Sequence, residues 1–167
     1  DIAVEPDGVL HLAYYDARIS ALKYATDGSG YWEIETVDHL GDVGMGPSLA
    51  VDGLGSAHIV YVDKTNDFLK YATNKSGSWT AEAVNPAEPA GNFPSIALDS
   101  LGNPHISETH NGTIYHYTTD PYGSWSVDEV VDHASQPPTS IAVDGDDHVH
   151  IAFNVLNPFT WTYSLRY

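Results

Sequence analysis

Residues 48–63, SLAVDGLGSAHIVYVD, recur with few changes as DIAVEPDGVLHLAYYD at 1–16, SIALDSLGNPHISETH at 95–110 and SIAVDGDDHVHIAFNV at 140–155. Each copy runs from a short apolar segment with a central alanine, through an Asp/Gly-rich turn, to a histidine near the start of a second apolar segment. His11, His58, His105 and His150 follow one another at 47, 47 and 45 residues, and Trp32, Trp79 and Trp125 at 47 and 46. Two residue types with different chemistry share one period. They divide the chain into repeats 1–47, 48–94, 95–139 and 140–167.

A period in the mid-forties is used both by helical arrays and by the four-stranded blades of β-propellers. Helical repeats need long stretches with apolar residues every three or four positions, and those are absent here. The apolar runs are short, alternate with polar residues and are bounded by Gly, Asp, Asn and Pro, which is strand-and-turn chemistry. The expected class is therefore all-β: a propeller of roughly 47-residue blades, with three complete blades and three strands of a fourth, forming one part-ring domain over 1–167.

Within a blade, the innermost strand is expected at Ile2–Val4, Leu49–Val51, Ile96–Leu98 and Ile141–Val143, its alanine small enough for the crowded axis. The second strand is expected at Leu10–Tyr15, His58–Val62, His105–Thr109 and His150–Phe153. The third includes Leu22–Tyr24, Leu69–Tyr71 and Ile114–Tyr117. The fourth starts at tryptophan, over Trp32–Val37, Trp79–Val84 and Trp125–Val131. Gly41–Pro47 and Pro86–Pro94 are expected as links back to the next inner strand, where proline disfavours a helical start. Fifteen strands leave an unpaired edge, which proteins usually cover. Three arrangements are open: a four-bladed monomer, a part-ring completed by a homo-oligomer, or a piece of a longer array. The edge favours the last two.

Composition narrows the partners. The 23 acidic against 6 basic side chains give a net charge of −17, which repels nucleic acid and anionic lipid. No nucleic-acid partner and no membrane insertion are expected, since no apolar run approaches the length of a membrane span. The chain has no cysteine, so disulfides, thiolate metal sites and a cysteine nucleophile are excluded.

The pattern S-[IL]-A-[VL]-D-x-x-G-x-x-H-[IL]-x-Y, followed by L-K-Y-A-T and G-S-W, resembles the repeats of bacterial β-propeller proteins of the sialidase-like and lectin-like kinds. The resemblance covers essentially the whole chain. It implies a propeller fold and a secreted or extracytoplasmic location. The turn TDGSGYW is loosely similar to the Asp-box S-x-D-x-G-x-T-W of sialidase-like propellers, with Trp32 one residue closer to the glycine. A sialidase site clamps its substrate carboxylate with three arginines, for which lysine is a poor substitute. This chain holds Arg18 and Arg166 alone, so it cannot build that site by itself.

Residues repeated in every blade are expected to build blades. His11, His58, His105 and His150 are expected to hydrogen-bond within the scaffold, Glu5, Asp52, Asp99 and Asp144 to cap turns, and the tryptophans to pack blade on blade. Departures from the repeat are more informative on the face where the second-to-third and fourth-to-first loops meet. Asp16, Asp63 and His110 share one register there, and Glu108 stands where the other blades have Tyr14, Tyr61 and Phe153. Asp16, Asp63, Glu108, His110, Arg18 and Trp161 are the candidate binding residues. Asp16, Asp63 and His110 are the candidate ligands should a divalent cation such as calcium be held. Glu108 and His110 are the candidate acid–base pair if the protein is a carbohydrate-active lyase or hydrolase. Tyr15, Tyr31, Tyr122 and Trp161 are candidate stacking surfaces for sugar rings. The leading expectation is a non-catalytic module binding a glycan or a protein through the loop face.

Overall fold

The computed structural model describes residues 1–120, 122–131, 138–157 and 162–166. It is a β-propeller chain built of consecutive antiparallel meanders. The first sheet is β1 (Ile2–Val4), β2 (Leu10–Asp16), β3 (Ala21–Thr26) and β4 (Glu33–Asp38), and the second is β5 (Val43–Val51), β6 (Ala57–Asp63), β7 (Phe68–Thr73) and β8 (Thr80–Ala83). The third is β9 (Asn92–Leu98), β10 (Pro104–His110), β11 (Thr113–Thr119) and β12 (Trp125–Val131); the fourth has β13 (Ser140–Val143), β14 (Val149–Asn157) and β15 (Thr162–Arg166). Each sheet is one blade. The chain divides into two compact units, Asp1–Ala90 with the first two blades and Gly91–Tyr167 with the other two.

The inner strands differ from expectation in length. β5 reaches back to Val43 and β9 to Asn92, so most of the link 41–47 and the last three residues of the link 86–94 are strand. In β5 the pairing survives through register shifts at Met45, with Gly44 and Gly46 at φ 101° and 55°. Only glycine enters that region cheaply, which is what the Gly44-Met45-Gly46 sequence supplies. Gly44 is also pressed on the first blade, since a Cβ there would stand 2.7 Å from Leu22 Cα.

In the first unit the core lies between blades: Ala13, Leu22 and Tyr24 of the first blade pack with Leu49, Ala57, Ile59, Tyr61 and Ala72 of the second. Trp79 closes this interface. Its indole meets Tyr24 edge-on at 5.0 Å between ring centres, and its Nε1 donates to Glu35 of the first blade. Asp1 adds a polar latch by accepting from the Leu49 N–H at 2.9 Å. In the second unit, Ser95 Oγ accepts likewise from the Ile141 N–H at 3.3 Å, and Ile114 packs with Phe153 and Ile151.

The repeated histidines sit in one kind of network. His11 Nδ1 lies 2.5 Å from the Tyr24 hydroxyl and His58 Nδ1 2.5 Å from that of Tyr71. Their Nε2 atoms face the carboxylates of Glu5 at 2.8 Å and Asp52 at 3.5 Å, and His150 Nε2 faces Asp144 at 2.9 Å. The same aspartates cap their turns: Asp52 Oδ1 accepts from the Leu54 and Ser56 N–H groups, as Asp99 does from Leu101 and Asn103, and Asp144 from Asp146 and His148. One carboxylate therefore ties the hairpin turn to the second strand. In the third blade His116 replaces the tyrosine, its Nε2 3.0 Å from His105 Nδ1 with the two rings near parallel at 3°.

Candidate functional site

The loop face of the first unit is built from the β2–β3 loop and the β4–β5 link. Asp16 ends β2 and turns the chain by accepting from the Arg18 N–H at 3.0 Å, while the exposed Arg18 guanidinium returns to Asp16 Oδ2 at 3.2 Å. The arginine hydrogen bond holds the Asp16 carboxyl below its ordinary range. Tyr15 donates to Asp42 at 2.6 Å and so joins the loop to the link. Between these segments opens a cleft of about 400 Å³ lined by Ile19, Thr36 and His39. All three side chains are exposed. Lys23 donates to Thr36 Oγ1 at 2.6 Å on its wall. Arg18 and Lys23 are the only Arg or Lys residues of repeat 1–47; Lys23 reaches the cleft through Thr36, and Arg18 is paired with Asp16.

Asp63 takes the same register in the second blade, but its carboxylate is buried and satisfied locally. It accepts from the Thr65 and Asn66 N–H groups at 3.0 Å each and from Asn66 Nδ2 at 2.9 Å. His110 ends β10 at a two-residue hairpin whose loop residues Asn111 and Gly112 have φ 49° and 84°. That Asn-Gly pair is the sequence a tight hairpin of this twist selects. His110 Nε2 faces Asn111 Nδ2 at 2.7 Å. Among the described residues no group of three or more His, Asp or Glu side chains is placed to hold a metal ion.

Glu108 is removed by burial from the surface on which the acid–base expectation placed it. It accepts from the Gly91 N–H at 2.7 Å and from the Tyr117 hydroxyl at 2.8 Å, and burial raises its carboxyl above the ordinary range. In the second blade the equivalent Tyr61 is also buried, so the register points inward on β6 and on β10. Tyr31 and Tyr122 are exposed, but they sit on the β3–β4 and β11–β12 turns, at the opposite end of the strands from the loop face. Trp161 lies outside the described residues.

Ile19, Thr36 and His39 were not among the sequence candidates. Their signal was a break in the repeat: the second blade has Asn66, Ala83 and Pro86 at those positions. Three scattered substitutions do not announce a cleft until the hairpin loop and link are folded against each other.

No family model and no curated protein sequence matches the chain. Solved structures do match in fold. A fucose lectin from Kordia zhangzhouensis, in complex with methyl-fucoside, is similar with a TM-score of 0.55 and 16% identity over 78% of this chain and 98% of that one. Aleuria aurantia lectin, in complex with Fucalpha1-6GlcNAc, gives 0.64 and 16% over 99% of this chain and 59% of that one. A protein of unknown function from Dyadobacter fermentans gives 0.67 and 11% over 98% and 50%. The chain thus spans 50% and 59% of the last two but nearly the whole of the first. At such identities the shared property is the propeller fold.

Proposed function

We propose that the chain is a carbohydrate-binding propeller module that takes its ligand in the cleft between the β2–β3 loop and the β4–β5 link. The single observation that carries this reading is the composition of the cleft wall: the apolar Ile19 beside the hydrogen-bonding side chains of Thr36 and His39. A sugar ring has an apolar face and a rim of hydroxyls, and pockets of a few hundred Å³ with a few placed polar groups suit such ligands. The fold likeness to two lectins whose structures are in complex with methyl-fucoside and Fucalpha1-6GlcNAc supports the same class. Glu108, the acid a hydrolase or lyase reading would use, is buried.

A glycan array probed with and without calcium, followed by calorimetry on any hit, tests the reading. The Ile19→Asp and His39→Ala variants are each expected to weaken binding about tenfold, equivalent to about 1.4 kcal/mol. Failure to bind any glycan under either condition, or binding unchanged by both substitutions, overturns it.

A further inference from the structure

The second blade shows how one blade of this repeat docks on its predecessor. Leu49 and Tyr61 are 6% and 0% exposed against the first blade. Tyr61 and Lys70 both donate to Asp38, the last residue of β4, and Trp79 lies on Tyr24 with its N–H on Glu35. Apolar packing is therefore joined to two polar points, a carboxylate at the fourth-strand end and a glutamate on that strand, and to an edge-on aromatic contact with a third-strand tyrosine.

The first blade carries the same face. Ile2, Tyr14, Lys23 and Trp32 stand 47 residues before Leu49, Tyr61, Lys70 and Trp79. Here Ile2 is 57%, Tyr14 37% and Trp32 50% exposed, with Val4 and Ile34 exposed beside them. Apolar patches of this kind on a soluble surface mark interaction sites. Tyr14 and Lys23 are cross-strand partners as Tyr61 and Lys70 are, so the two donor types that grip Asp38 recur here in the same register, with Lys23 at present donating to Thr36.

We propose that this face of the first blade is a docking surface for a further blade of the same repeat, joined ahead of β1 as the first blade is joined to the second. Tyr14 and Lys23 clamp the carboxylate that ends its fourth strand, and Trp32 packs on its third-strand tyrosine. The occupant follows from continuity with the interface already present, because the donors, the indole and the apolar positions recur together. A second copy of this chain fits less well. Among the described residues the fourth sheet has three strands, so head-to-tail docking through it would bring no fourth-strand carboxylate to Tyr14 and Lys23. This docking is read from the blade interface and not from the glycan reading, and it would draw Lys23 away from Thr36 on the cleft wall.

The test places a duplicate of residues 1–47 ahead of Asp1 and follows the acetylation rate of Lys23 in the original blade by mass spectrometry. Lys23 is expected to react several-fold more slowly than in the 167-residue chain, and an Asp38→Ala change confined to the duplicate is expected to restore its rate. An unchanged Lys23 rate overturns the proposal. A second arm needs no added blade: in the chain as it stands, Trp32→Ser is expected to leave the melting temperature nearly unchanged while Trp79→Ser lowers it clearly. An equal loss from both, or a dimer by light scattering that Trp32→Ser dissociates, shows the face already covered and also overturns it.

Discussion

Tyr61 on β6 donates its hydroxyl to Asp38 at 2.7 Å, so a residue of the second blade satisfies a carboxylate buried at the end of the first. Lys70 completes the site on the same oxygen. Burial by itself would raise the Asp38 carboxyl, and the hydrogen bonds from Lys70, Tyr61 and the Leu40 N–H outweigh it and hold the group below its ordinary range. The interface is thus apolar packing with one charged fastening.

Removing that fastening by Asp38→Ala is expected to destabilise the fold by about 2–4 kcal/mol, because Tyr61 and Lys70 are left without their acceptor. The pH sign follows from the depressed pKa. The stabilisation is present above the unfolded value, about 3.9, and is lost as pH falls through the lower folded value. Urea midpoints measured from neutral pH downwards should show an acid loss that is smaller in the Asp38→Ala variant.

Glu108 has the opposite sign. Burial raises its pKa in the folded state, so the native protein holds the proton more tightly and stability falls as pH rises from about 4.3, the unfolded value, through the folded one. Glu108→Gln is expected to flatten the urea midpoint across that window, whatever its effect on the baseline. A variant whose pH dependence matches the parent's in the same window would remove Glu108 as the cause.

Gly91 has no room for a side chain. A Cβ there would stand 2.3 Å from the Thr109 carbonyl oxygen and 2.7 Å from Glu108 Oε2. Gly91→Ala is expected to cost about 1–3 kcal/mol. At Gly53 a Cβ meets nothing within 4 Å, and Gly53→Ala should stay within about 0.5 kcal/mol of the parent. Thermal denaturation of the two variants side by side checks the contrast.

His58 is held neutral by burial, which lowers its pKa in spite of Asp52, while burial pushes its partner Tyr71 up to about 12. Stability linked to His58 is full above the unfolded value near ~6.5 and is lost as pH falls through the lower folded one. His58→Ala is expected to lose about 2 kcal/mol at neutral pH by leaving the Tyr71 hydroxyl without this partner. It should also remove part of the stability loss between neutral and mildly acidic pH, read from melting temperatures.

The period of His11, His58 and His105 and the turn residues between them were enough to place fifteen strands and four meanders, because hairpins are local and their Asp/Gly signals lie within a few residues of one another. The structural role of the histidines was legible for the same reason: a side chain used identically in several blades belongs to the blade. The extension of β5 to Val43 was not legible. It depends on Gly44 lying against Leu22, a residue of the preceding blade.

The site was harder to see than the fold. Asp16 and Arg18 stand at the β2–β3 turn, whereas Asp63 and Glu108, singled out by the same kind of argument, are buried under their own hydrogen bonds. Alternation along a strand tells which residues share a side; it does not tell whether that side meets solvent or the next blade. The chain's own letters determined the blade, its strand order and the Asp–His turn network, all of which are set by short-range repetition. Tertiary structure alone decided the cleft at Ile19, Thr36 and His39 and the exposed face at Tyr14, Lys23 and Trp32. Both arise where segments distant in sequence meet, or where a blade face that is covered in one repeat stands open in another.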